Sequence, residues 1–157
     1  MASGGAVHPW PGGLTMLDLT RLYADLRRDE GLRLVAYRCT AGVLTIGYGH
    51  TSGVCEGDTC TPEQAEAWLQ NDVAAALTGL DHALPWWRRL AESRQRALAN
   101  MAFQLGLARL LGFKRMLAAL ERGDYATAAA EALNSKWARE DTPERAHRVV
   151  RLIREGK

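Results

Sequence analysis

Between residues 33 and 48 the chain abandons the helical repeat that governs most of the rest of it. "RLVAYRC" and "VLTIGY" carry Val, Ile, Thr and Tyr, and Thr40-Ala41-Gly42 lies between them as a turn. These residues are read as one β-hairpin. Upstream, over residues 16–29, Leu19, Leu22, Tyr23 and Leu26 recur at i, i+3, i+4 and i+7, one face of a helix. Gly31 suits its stop. Downstream, Thr61-Pro62-Glu63-Gln64 joins a Thr cap, a Pro in the first helical position and a Gln that completes the capping box. It starts a helix expected to run to about residue 79.

After that helix every segment reads as helical. A short one is expected over 85–90, a largely apolar and buried one over 93–105, and others over 108–111 and 113–122. Gly123 stops the last of these, and Asp124 caps a helix over 125–134. A short helix includes Trp137, and a second Thr-Pro pair, Thr142-Pro143, opens the final one, which runs to about Arg154. One hairpin among helices predicts a mostly helical α+β fold. It divides into a hairpin lobe over about 30–60, a connecting helix over about 62–79, and a helical lobe over about 80–157 that also takes the first helix, 16–29. Two lobes joined by a helix leave a cleft suited to an extended ligand. Residues 1–15, rich in Gly and Pro, are expected to be an extended arm or an added extension, which leaves 16–157 as one domain.

Several classes are excluded. No run of 18 apolar residues occurs, so a membrane-spanning chain is not expected. The leader has neither an early Lys or Arg nor a continuous apolar stretch, so neither a signal peptide nor a signal-anchor is expected. Three cysteines do not make a disulfide-built mini-protein. Cys55 and Cys60 flank the turn-forming run Glu56-Gly57-Asp58-Thr59, across which a disulfide can close, although a reducing compartment opposes it. The net charge is only +2, yet Lys136, Arg139, Arg145, Arg148, Arg151, Arg154 and Lys157 crowd the end. That face suits an anionic partner such as a cell wall, nucleic acid or lipid headgroups. With Glu140, Asp141, Glu144 and Glu155 interleaved, it also reads as an ordinary solvated face.

The candidate chemistry starts at Glu30, where the first helix ends. The free carbonyls there disfavour a charged carboxylate and push its proton affinity up, as a general acid requires. Read from its position alone, Glu30 is first a solvated acid at a helix end. It is the only acid in residues 30–51. Cleavage of a glycosidic bond normally uses two carboxylates. Where a second is expected, the chain has Cys39.

"DEGLRLVAY" (29–37) and "TIGYGH" (45–50) resemble glycoside hydrolase family 24, the lysozymes of the T-even coliphages and their relatives. That pattern is Glu, eight residues, Asp or Cys, five residues, Thr, and Glu30, Cys39 and Thr45 meet it. "RALANMAFQLG" (96–106), "GFKRML" (112–117), "SKWARE" (135–140) and "TPERAHRVV" (142–150) continue the likeness in order, over roughly residues 16–155. The resemblance implies a two-lobe lysozyme-like fold and an endolysin, a muramidase acting on the β-1,4 bond between N-acetylmuramic acid and N-acetylglucosamine of bacterial peptidoglycan. It implies no cofactor, no metal, no nucleic-acid partner, a monomer, and accumulation in the host cytoplasm until a holin gives access to the wall.

Carried over residue by residue, Glu30 is implied to be the general acid, Thr45 the holder of the attacking water, and Cys39 the replacement for an aspartate. His50 and Asp72 are implied to form a pair that braces the hairpin, and Arg145 to face Glu30. Thr51, Phe103, Gln104, Met116 and Glu131 stand at substrate-contact positions, although Met116 cannot donate a hydrogen bond and Glu131 brings a charge. Trp68, Trp86, Trp87 and Trp137 read as core, with stacking on sugars the alternative. Three rival readings stay open. One is a lytic transglycosylase working with a single Glu. Another is a metal site built from Cys39, His50, Cys55 and Cys60. The third is a wall-binding protein without turnover.

Overall fold

The computed structural model describes residues 15–157. The arm expected over 1–15 therefore lies outside the described residues, apart from Thr15. The first helix, α1, spans Leu19–Glu30. It starts later than the apolar pattern suggested because Asp18 caps it, its carboxylate accepting from the Arg21 amide at 3.1 Å. Strands β1 (Arg33–Arg38) and β2 (Leu44–Gly47) follow, antiparallel, with Tyr37 opposite Thr45 and Arg38 opposite Leu44. The turn is closed by Gly42 N–H donating to the Cys39 carbonyl.

Helix α2 (Pro62–Ala83) connects the lobes, and both halves of the Thr61–Gln64 capping box are formed. It outruns the expected end near residue 79. Gly79 does not stop it; the missing side chain leaves room for Leu107, which would lie 3.1 Å from a β-carbon there. The segment expected over 85–90 narrows to a 3₁₀ turn, Trp87–Arg89. Then come α3 (Glu92–Leu105), α4 (Leu107–Leu111), α5 (Lys114–Glu121) and α6 (Tyr125–Leu133), the last capped by Asp124 as expected. A π-turn, Trp137–Asp141, leads into α7 (Pro143–Glu155). Thr142 precedes α7 but does not cap it; its hydroxyl instead accepts from Gln104 Nε2 at 3.0 Å.

The apolar residues form two clusters. The larger is organised around α3, in which Ala97 to Ala102 are all buried, so that helix is enclosed on every side. Leu22 and Leu26 of α1 and Val149, Val150 and Ile153 of α7 pack on it. The smaller cluster, Ile46, Cys60 and Ala65, holds the hairpin against the start of α2. The structure is therefore the two-lobed, lysozyme-like α+β fold, with α1 and α7 both contributing to the larger lobe. Among the described residues no helix is long and apolar enough to cross a membrane. All three cysteines are free thiols: Cys60 is buried and Cys55 exposed.

Candidate active site

Glu30 ends α1, where Gly31 turns the chain with a positive φ of 69°. Its two carboxyl oxygens have different surroundings. Oε1 accepts from Arg145 Nη1 at 2.8 Å. Oε2 lies against Gly49, so close that a β-carbon there would stand 2.6 Å from it. Gly49 lines a cleft of about 290 Å³ together with Thr51, Asp72 and Phe103. Arg145, from the first turn of α7, is only 6% exposed and donates through Nε to Asn100 Oδ1 at 2.9 Å. One oxygen of the acid is thus held from the helical lobe, and the other lies against a cleft residue.

The hairpin turn brings Cys39 and Thr45 together. The Cys39 amide and the Thr45 hydroxyl both donate to the Val43 carbonyl, at 3.0 and 2.9 Å. The Val43 amide beside the sulfur holds the Cys39 thiol below its usual range; burial opposes this, and the Ala41 amide reinforces it. Tyr37 stands near both acid and thiol: burial first, then the charge of Glu30, push its phenol up, and Cys39 acts in the same direction. Thr45 itself is buried, 4% exposed, and neither it nor Cys39 is among the residues that line the cleft beside Gly49.

His50 Nδ1 lies 2.7 Å from Asp72 Oδ2, and the His50 ring stacks on Trp68 with centroids 4.7 Å apart and planes 8° from parallel. The pair links the hairpin to α2. Replacing either partner with Asn is expected to lower stability by about 1–3 kcal/mol, because the pair is partly shielded from water. A denaturant midpoint measures this. Activity per folded molecule should change far less, and a large loss in a still-folded His50→Asn protein would make the histidine part of the chemistry.

Comparison with known proteins identifies the family. Residues 27–151 match the family described as phage lysozyme. The chain belongs to the phage lysozyme family. It is similar to an endolysin of Acyrthosiphon pisum secondary endosymbiont phage 1, 39% identical over 116 residues covering 73% of this chain and 75% of that one. A probable T4-type lysozyme of Dictyostelium discoideum is 29% identical over 157 residues, 83% of this chain and 92% of its own. The pre-baseplate central spike protein Gp5 of Enterobacteria phage T4 is 35% identical over 156 residues, which is 83% of this chain but 27% of that protein. As a phage lysozyme, the chain is a hydrolase.

This phage lysozyme distributes the expected substrate contacts unevenly. Thr51 and Phe103 line the cleft beside Gly49. Met116 and Glu131 line a separate depression of about 500 Å³, with Phe113 and Trp137. Met116 is 1% exposed and can form only its floor. Gln104 uses both ends of its amide internally, accepting from Trp137 Nε1 at 2.9 Å and donating to Thr142, so it braces α3 against the π-turn. Trp87 and Trp137 are core, whereas Trp68 and Trp86 are half-buried. Sequence reasoning passed over Asp29 and Asn100, which lie directly behind Arg145. A signal was present: Asn100 is an uncharged polar residue inside an otherwise apolar helical stretch, and a buried amide needs partners.

Proposed function

We propose that this lysozyme hydrolyses the β-1,4 bond between N-acetylmuramic acid and N-acetylglucosamine in peptidoglycan, with host lysis as its role. The observation that carries the reading is the divided environment of Glu30. Arg145 fixes Oε1, and the other oxygen stands against a residue of the cleft wall. In this reading Glu30 protonates the glycosidic oxygen as the bond breaks. The Thr45 hydroxyl hydrogen is donated to Val43, so its lone pairs can accept from the attacking water. Cys39, with its thiolate favoured by the turn amides, takes a proton from that water as it adds to the anomeric carbon. Thr51 and Phe103 contact the sugars in the cleft. Hydrolysis predicts muropeptides with free reducing ends; 1,6-anhydro ends instead would make the enzyme a lytic transglycosylase.

The thiol is tested by a pair of substitutions, assayed by clearing of permeabilised cells. Cys39→Asp should keep or raise activity, and Cys39→Ala should lose at least about tenfold, roughly 1.4 kcal/mol of barrier. The pH profile separates the roles further. A base that works as thiolate loses activity as pH falls through the thiol pKa. In Cys39→Asp that acid limb should move down towards the ordinary carboxylate value of about 3.9. If Cys39→Ala is fully active, the thiol is a bystander.

A further inference from the structure

We infer that Asp29 is a positioning residue for the Glu30 carboxyl, acting through Asn100 and Arg145 as a permanent counter-charge. The inference rests on the reading of Glu30 as the acid.

The Asp29 side chain is 0% exposed. Burial pushes its carboxyl up, but donors from Asn100, Arg28 and Arg148, with the Arg145 charge nearby, outweigh this and hold it below the usual carboxylate range. Three of its contacts are hydrogen bonds: Asn100 Nδ2 to Oδ2 at 2.9 Å, Arg148 Nη2 to Oδ1 at 2.8 Å and Arg28 Nε to Oδ1 at 3.1 Å. Arg145 Nε lies 3.7 Å from Oδ2. The bond to Asp29 decides the orientation of the Asn100 amide. With Nδ2 committed there, Oδ1 is left for Arg145 Nε. The guanidinium is thereby clamped from behind, and its Nη1 is presented to Glu30.

The charges make this more than a scaffold. A general acid must hold a proton before it can give one. When Glu30 is protonated it no longer neutralises Arg145, which is 6% exposed and whose Nη2 has no hydrogen-bond partner among the described residues. A buried guanidinium without a counter-ion is costly. Asp29 stays ionised and supplies that counter-ion in both protonation states of Glu30. Among the described residues, Arg145 from α7 and Tyr37 from β1 are the charged or titratable groups beside Glu30, and Gly49 from the turn is neutral; Asp29 and the neutral Asn100 reach it through Arg145.

The test is Asp29→Asn, which keeps the shape and removes the charge. With Asp29 neutral, Arg145 depends on Glu30 alone, and the repulsion between the two adjacent carboxylates is also gone. Both changes favour ionised Glu30. Its titration, followed by carboxyl ¹³C NMR in the folded protein, should move down by about one unit, a tenfold change in proton affinity. The alkaline limb of kcat should move the same way, with KM little changed. Asn100→Ala is the second variant, used if Asp29→Asn fails to fold. It keeps the charge but frees the arginine, so kcat should fall with a smaller movement of the limb. An unmoved Glu30 titration, or activity lost only in proportion to the unfolded fraction, overturns the inference. If Glu30→Gln remains active, the acid assignment falls, while the NMR titration still judges whether Asp29 tunes Glu30.

Discussion

Glu30→Gln is expected to abolish clearing of permeabilised cells while melting close to the parent. The amide oxygen can still accept from Arg145 Nη1, so the 2.8 Å contact survives in shape. What the amide cannot do is deliver a proton to a departing sugar oxygen. Such a step is commonly worth about 10²–10⁴-fold, or roughly 3–5.5 kcal/mol of barrier. Fold is not expected to fail with it, because Asp29 remains beside Arg145 as an anion. Circular dichroism melts and initial clearing rates on the same preparation separate the two effects. Clearing at more than a few per cent of the parent rate would mean that another group supplies the proton.

Gly49→Ala is expected to cost nearly as much, although the residue carries no chemistry. Its φ of +72° already strains any side chain, at about 1–2 kcal/mol. More importantly, the new β-carbon would stand 2.6 Å from Glu30 Oε2 and 2.8 Å from its Cδ. The cheapest relief is to push the flexible carboxyl aside, away from its bond with Arg145. A displacement of about 1 Å at a reacting group can cost about a hundredfold. The expected result is a fall of that order in kcat with only a modest drop in melting temperature. An alanine variant that keeps more than half of the parent kcat would show that the seat of the carboxyl against residue 49 does not matter.

What could be read from the sequence follows the range of the interaction. Thr61 and Gln64 cap α2 through atoms three residues apart, and the pattern of residues 33–48 carries its own turn, so both were legible locally. The true length of α2 was not, since Gly79 is explained only by Leu107, which comes from a later helix. Thr142 shows the same limit in reverse. It has the residue type of a cap, but Gln104 takes its hydroxyl. In the site, Glu30, Cys39 and Thr45 stood out through spacing and resemblance. The Asp29–Asn100 bond joins positions 71 apart, and no local pattern records it. Met116 and Glu131 were placed with the other contacts by analogy, and only the packing of α5 and α6 separates them into a second depression.

The bond between Glu30 and Arg145 joins residues 115 apart in the chain. On a ribosome working at about 5–20 residues per second, roughly 6–23 seconds pass between making one partner and making the other. Throughout that interval α1 is a helix of 12 residues, marginal by itself in water, and its Leu22 and Leu26 lack much of the core they belong to. A nascent chain that lacks α7 carries Glu30 without the arginine that holds its Oε1. On the reading of Glu30 proposed above, the site is therefore complete only once the last helix has been made and packed.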